Sequence, residues 1–417
     1  MILCFSFLIA FFHRFSIGVL SNLLASDLDL SATQLGTLSS LYFYAYGFLQ
    51  IPVGIITDKY GVRRITFAGM LFIASGAFIF ALAAGPALAY TGRLLIGVGS
   101  ATFFVSILRV IANWFPPESF TRLLGWTSLI GTSGALLAAT PLSLLLNLLD
   151  WRLSLNLFAV ISLIIAGLIW FFVRDNPAEV GLEVDYGAEN DSRSLREILQ
   201  GMSVLVTSRQ FWGYFFVAFI VFGSQMSLSG LWLVPYLTHV FRISRDLAAN
   251  FVMVITFGMV AGSALLGWFE KKLGSRIRMI RIAVLINLLI WFYILVIFRA
   301  VLPLWQLLVL LFILGFSGTF IVTTFTNIKV LFPDFKGSAT GFINLSPFLG
   351  TIIFNFLIGW RLDATWEGEM LGGSRAYTLQ GYQQGFAMIL LLAGLALLIS
   401  LKLKNVKVNQ NDSAAVD

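Results

Sequence analysis

Two arginines and a histidine stand inside runs of sequence that are otherwise apolar: His13 and Arg14 between Ile2 and Leu24, and Arg93 between Pro86 and Leu108. On membrane-insertion scales an arginine at the centre of a spanning helix costs about 2.5 to 3.5 kcal/mol, so each needs a partner, a wet cavity or a function. The planar fork of Arg14 suits bidentate capture of a carboxylate, which supplies orientation as well as attraction. Arg93 lies nearer one end of its run, where a long side chain can reach the interface, and is a second candidate for setting a positive potential. His13 projects about 100 degrees around a helix from Arg14. It titrates near neutrality in model compounds and is the candidate for proton coupling.

Neutral polar groups complete the candidate set. Tyr42, Tyr46 and Gln50 recur every four residues and share one helix face, and Gln225, Tyr236 and Asn344 stand in later apolar runs. A polar stripe in such a helix must face protein or water, because lipid cannot satisfy its hydrogen bonds. No Asp or Glu lies well inside any run. A positive site of this kind disfavours organic cations, whose charge it would repel. An anionic solute fits it. Amino acids and dipeptides also present a carboxylate, but no acidic partner for their amine is visible. Cys4 stands alone, excluding an intrachain disulfide or cysteine metal cluster. No Gly-Lys-Ser phosphate loop and no His-x-x-x-His pair occurs, so neither enzyme, cofactor nor metal is expected. His239, the second histidine, is expected to be solvated.

The elements that hold these groups are helices in lipid. Hydrophobic residues make up 59% of the 417-residue chain and charged residues 11%, too few charges to clothe a soluble surface. Stretches near the roughly 20 residues needed to span a bilayer recur six times before Arg174 and six times after Arg209. This predicts an all-α membrane protein of twelve transmembrane helices in two pseudo-symmetric six-helix bundles. The bundles cover 1–174 and 211–402. An acidic linker, 175–210, carries a short amphipathic helix near Ser194 to Met202, and a tail, 403–417, follows. Of 27 Lys and Arg residues, nineteen fall on one side, six on the other and two inside spans. That asymmetry places both termini in the cytoplasm of a cell that holds the chain in its inner or plasma membrane. It also accounts for the net charge of +7 without a nucleic-acid partner. The run from Ile2 reads as a retained first helix, and the absence of a tail before it leaves open a native start upstream of Met1.

The halves repeat. Gly54, Asp58, Lys59, Gly61, Arg63 and Arg64 follow the second span, and Gly267, Glu270, Lys271, Gly274 and Arg276 follow the eighth. Phe115-Pro116 and Phe332-Pro333 open the turns after the fourth and tenth. Equivalent positions in the two halves argue for duplication about an axis along the membrane normal. Gly54, Asp58, Gly61, Arg63, Arg64, Gly267 and Gly274 are therefore expected to act in gating. The glycines would allow close helix approach, and Asp58 with Arg63 and Arg64 would form a lock that breaks on opening.

The turn from Gly54 to Arg64 resembles the signature loop of the major facilitator superfamily at every position: Gly54, then Asp58, Lys59, Gly61 and the basic pair Arg63-Arg64. Arg93 followed by Gly97 and Gly99 resembles a second family element, and the likeness covers the whole chain. Within the superfamily the chain is most similar to the anion:cation symporters that carry sugar acids and other small organic anions. The similar segments are His13 to Gly18, Leu28 to Gly36 and Arg174 to Leu182. The resemblance implies transport by alternating access of a small carboxylate, with Arg14 as anchor; a monomer is expected. Two departures stand out: His13 replaces the Asp that commonly precedes the first arginine, and Ser100 replaces a Glu seven residues after the second. These remove the family's usual proton-carrying carboxylates and point to a uniporter, an exchanger or unusual symport. A non-transporting receptor or scaffold of the same fold is the reading outside transport.

Overall fold

The computed structural model describes residues 1–182 and 203–404. The linker helix expected near Ser194 to Met202 and the tail beyond 404 lie outside the described residues. The described chain is nearly all helix. In chain order it forms α1 (Ile2–Asp27), α2 (Ala32–Tyr60), α3 (Val62–Ala81), α4 (Pro86–Trp114), α5 (Phe120–Leu137), α6 (Thr140–Leu145) and α7 (Trp151–Phe172). There follow α8 (Arg209–Ser227), α9 (Leu233–Val240), α10 (Arg245–Leu273), α11 (Arg276–Phe292), α12 (Leu304–Gly318), α13 (Thr323–Leu331) and α14 (Lys336–Ala364). A two-residue strand pair, β1 (Met370–Leu371) and β2 (Ser374–Arg375), precedes α15 (Leu379–Leu401).

Among the described residues, eleven helical stretches are long and apolar enough to cross a membrane, several of them joining two labelled helices end to end. With α2 they make the twelve expected spans. At 29 residues α2 is long enough to span, but Tyr42, Tyr44, Tyr46 and Gln50 lower its hydropathy, and it is not among the eleven. Its polarity marks the candidate site rather than a non-membrane helix.

Local signals set the boundaries. Ser31 opens α2 with a capping box: its hydroxyl accepts from Gln34 N–H and its own N–H donates to Gln34 Oε1. Pro86 starts α4 where a missing N–H costs nothing. Gly61 (φ +85°) and Gly274 (φ +60°) take left-handed conformations that end α2 and α10 at equivalent repeat positions. Both Phe-Pro turns fold as short 3₁₀ helices, Pro117–Ser119 and Pro333–Phe335.

Contacts divide the chain into two compact units. The first contains, of the described residues, 1–182, Leu228–Met253 and Asn355–Gly381, so α1 to α7 are joined there by α9, the first turns of α10 and the last turns of α14. Its core at the basic-turn end packs Leu3, Phe7, Ala10, Met70, Ile73, Phe103, Ile107 and Ile169. At the opposite end Arg245 Nε donates to Ser143 Oγ (3.0 Å) and Arg245 Nη2 to Asn147 Oδ1 (2.6 Å). Asn147 Nδ2 donates to Asp246 Oδ2 (2.8 Å), and Asn22 Nδ2 to Thr238 Oγ1 (2.9 Å). The second unit contains, of the described residues, 203–227, Val254–Phe354 and 382–404. In it α8 packs on α14 at Gly223 and Gly350, and α10 on α12 at Gly258 and Gly315.

The same crossing recurs in both repeats. A Cβ on Gly97 of α4 would press on the Tyr42 carbonyl of α2, and one on Gly315 of α12 would collide with the Ile255 carbonyl of α10. Tyr42 lies twelve residues before Gly54, and Ile255 lies twelve before Gly267. Helix pairs without a hydrophobic drive from water associate through such small-residue contacts. Gly134 allows α5 to reach α1 in the same way, because a Cβ there would collide with the Leu8 carbonyl. Gly134→Ala is therefore expected to destabilise the protein by about 1 to 3 kcal/mol. Gly125→Ala, where nothing lies within 4 Å, is expected to be neutral or mildly stabilising. Thermal unfolding of the two variants in one detergent checks the contrast.

Candidate functional site

Arg14 is buried in the first unit, 5% exposed, on the face of α1 turned toward α2. Its guanidinium carbon lies 4.4 Å from the ring centres of Phe11 and Tyr46 and 5.6 Å from that of Tyr42. The Tyr42 and Tyr46 hydroxyls are within hydrogen-bonding reach of it, and Gln50 is within reach of Tyr46. The two phenol rings stack at 5.9 Å with planes 10° apart. Tyr42 completes its own bonding by donating to the Ala10 carbonyl at 3.0 Å, which pins α2 to α1. The four-residue spacing of Tyr42, Tyr46 and Gln50 thus becomes a ladder of polar groups beside one buried cation.

Arg93 is wholly buried and does not snorkel. It lies over Tyr42, 4.9 Å from the ring centre, and donates to the backbone carbonyls of His13 and, at 3.3 Å, Arg14. The Gly97 crossing, one turn further along α4, lets α4 approach α2 closely enough for this reach. Arg93 is consequently a brace that fixes the turn of α1 from which Arg14 projects. His13 faces elsewhere, 6.2 Å from the Phe158 ring of α7, and its Nε2 has no hydrogen-bond partner among the described residues.

The other candidates disperse. Tyr236 is buried on α9 of the first unit against Phe241. Gln225 and Asn344 belong to the second unit, Gln225 buried against Gly318 and Asn344 half-buried on α14. His239 is 6% exposed rather than solvated, because the segment after α14 brings Tyr377 over it, ring centres 5.9 Å apart. Two groups beside the ladder were not expected: Phe11, which closes over Arg14, and Ser39, buried three residues before Tyr42, with no partner for its hydroxyl among the described residues. Three residues before Tyr42, Ser39 lies one helical turn back on the ladder's face of α2.

The basic turns also differ from expectation. Asp58 pairs with Arg109 of α4, not with Arg63 or Arg64. The left-handed break at Gly61 turns Arg63 onto the first turn of α3, where its guanidinium lies 4.7 Å from the Trp170 ring centre. The carboxylate that meets this turn is Asp175, which accepts from Arg63 N–H at 2.8 Å and sits where a Gly61 Cβ would be. In the second repeat Arg276 Nε donates to Glu270 at 2.5 Å. Close approach requires Gly61, whereas Gly54 meets only Val105 at ordinary contact distance and Gly267 meets nothing within 4 Å.

Comparison with known proteins places this geometry in a family. The chain is 24% identical over 302 residues to Uncharacterized transporter YybO of Bacillus subtilis (strain 168), covering 68% of each chain. It is 25% identical over 277 residues to the Hexuronate transporter of the same organism, covering 63% of each. The chain thus spans about two thirds of the length of these relatives. A crystal structure of a bacterial homolog to the human lysosomal transporter Spinster, in an inward-facing and unoccupied conformation, superposes with a TM-score of 0.74 at 16% identity. That superposition covers 96% of this chain and 95% of the other. Residues 3–355 match the Major Facilitator Superfamily, a stretch that runs through both repeats, and the chain belongs to that family.

Proposed function

We propose that the protein moves a small organic anion, a carboxylate foremost, across a cell membrane by alternating access, without enzymatic chemistry. The observation that carries this reading is the Arg14 cluster. A planar cation held by aromatic faces, with phenol and amide groups ranked beside it, is a donor set for a carboxylate and the hydroxyls of a sugar acid. Aromatic faces and neutral phenols hold a guanidinium without supplying a countercharge. A relative named for hexuronate, itself a sugar acid, supports the same class.

In this reading Arg14, Tyr42, Tyr46 and Gln50 bind, and Arg93 positions. Tyr236, Gln225 and Asn344 are further contacts. Residues 1–174 and 211–402 act as the two bundles, joined by 175–210 and followed by the tail 403–417. The basic turns face the cytoplasm with both termini, and a monomer is the working unit. His13 is the proton-coupling candidate if a proton accompanies the anion.

The test is a thermal-stability screen of the purified protein against sugar acids, other organic acids, amino acids, dipeptides, neutral sugars and cationic drugs. A ligand at 100 times its dissociation constant stabilises by about 2.7 kcal/mol. Stabilisation by carboxylates and not by their neutral sugar counterparts is the expected result. Stabilisation confined to cations or neutral sugars would sink the proposal, and stabilisation confined to amino acids or dipeptides would replace it with a zwitterion carrier.

A further inference from the structure

Asn355, Gly359 and Asp363 recur every four residues along the last turns of α14, and Ala32 and Gly36 do the same on the first turns of α2. Within the first unit these two stripes meet. A Cβ on Gly36 would collide with the Asn355 carbonyl, and one on Gly359 would lie 2.5 Å from the Ala32 carbonyl oxygen. The helices therefore cross at backbone contact, and Asp363 ends the stripe directly over the start of α2.

Both carboxylate oxygens of Asp363 are in use. Oδ2 accepts from Ser31 Oγ at 2.7 Å and from Thr33 N–H at 2.8 Å. Oδ1 accepts from Ala32 N–H at 2.9 Å and from the Tyr377 hydroxyl at 3.0 Å. The Ala32 and Thr33 amides are first-turn donors of α2, which have no partner inside their own helix, and the positive end of the helix favours an anion there. Burial pushes the Tyr377 phenol up from its usual range and the neighbouring Asp363 carboxylate adds to this, so the phenol stays protonated and able to donate. Arg375, stacked on Trp366 at 4.6 Å, flanks the carboxylate at 3.9 Å. A residue late in the second repeat thus supplies the N-terminal cap of a helix in the first.

We propose that Asp363 is a charge latch that holds closed the end of the transport path opposite the basic turns, and that α2 and α14 part there only when it lets go. The inference rests on the transport reading above, since a cycle of alternating access must open that end. On the proposed orientation this is the outer gate. Asparagine cannot replace the aspartate: one oxygen becomes an NH₂, a donor facing donors. The neighbouring contacts of Arg245 and Asn22 are hydroxyl, amide, charge and carbonyl contacts made by side chains. Among the contacts named at this end between the two repeats, that of Asp363 is the one in which a carboxylate takes two backbone amides of a helix start, so it is expected to set the equilibrium.

The experiment needs no substrate. Nitroxide labels are placed at Leu148 and Glu367, both exposed at this end of the first unit, in a Cys4→Ser background reconstituted in nanodiscs. Electron–electron distance distributions are then compared. Asp363→Asn is expected to raise the ratio of long to short distances at least tenfold over the parent. Ser31→Ala with Tyr377→Phe, which removes two side-chain donors and leaves the carboxylate, is expected to raise it less. The double variant also serves if Asp363→Asn does not fold. Parent-like distributions in whichever of these variants fold would overturn the latch. A shifted distribution in a protein that binds no carboxylate would leave the latch standing while the anion reading falls.

Discussion

Arg14→Ala is expected to lose carboxylate binding and transport, with a smaller loss of stability in the unliganded protein from the lost contacts with Phe11, Tyr42 and Tyr46. Removing one partner of a buried, hydrogen-bonded charge pair costs about 2 to 5 kcal/mol, which weakens affinity by roughly 30-fold or more. The phenols of Tyr42 and Tyr46 hold the guanidinium by ring faces and hydrogen bonds but carry no countercharge, so its loss in the resting protein costs those contacts and exposes no buried anion. Arg14→Lys keeps the charge and loses the fork, and an intermediate loss of about tenfold is expected, because a point charge cannot grip two carboxylate oxygens at once. Ligand-dependent thermal shifts on parent, Ala and Lys proteins read the whole series. Equal shifts in all three would make Arg14 a packing residue.

The opposite signature is expected at Arg93. Its contacts are backbone carbonyls of α1 and the face of Tyr42, so Arg93→Met should lower the melting temperature of the unliganded protein. Each net hydrogen bond involving a charged group is worth about 1.5 to 3 kcal/mol, and a total loss of about 2 to 4 kcal/mol is expected. Affinity should fall as well, since the α1 turn that aims Arg14 is no longer held. The two arginines can thus be told apart in one assay: Arg14 variants lose chiefly the ligand-dependent shift, and Arg93 variants chiefly the stability of the unliganded protein. A ligand-only effect at Arg93 would put it in contact with solute and not in the frame.

Much of this is legible in the amino-acid sequence. Span count, repeat and charge asymmetry follow from hydropathy and from the spacing of Gly54 to Arg64 against Gly267 to Arg276. The ladder beside Arg14 was legible too, because a period of four places Tyr42, Tyr46 and Gln50 on one face whatever that face meets. What escaped depends on which helix lies opposite. Arg93 becomes a brace only because Gly97 lets α4 close on α2, and neither residue alone reports that crossing. Asp58 looks, along the chain, like the partner of Arg63 and Arg64, yet the left-handed break at Gly61 points them apart and the register of α4 offers Arg109 instead. His239 sits at a span end, where solvent is the default expectation, and is covered by a segment more than a hundred residues away. Asp363 reads as an ordinary boundary charge until α14 is laid across the start of α2.

Between α8 and α9 the stretch Leu228–Trp232 is a π-helical turn, with Gly230 seated against Gly18 of α1. A π turn is an α-helix carrying one residue more than it needs. Each residue of an α-helix turns the chain by about 100 degrees, so the surplus residue sets the facing of everything after it, including buried Trp232 and Tyr236. Deleting one residue from this turn would let the helix anneal into a regular coil at little local cost and swing Tyr236 a quarter-turn or more from its present bearing. The surplus residue behaves as an indexing mark: relatives of this chain that lack it would present different side chains to α1 from the same sequence of amino acids.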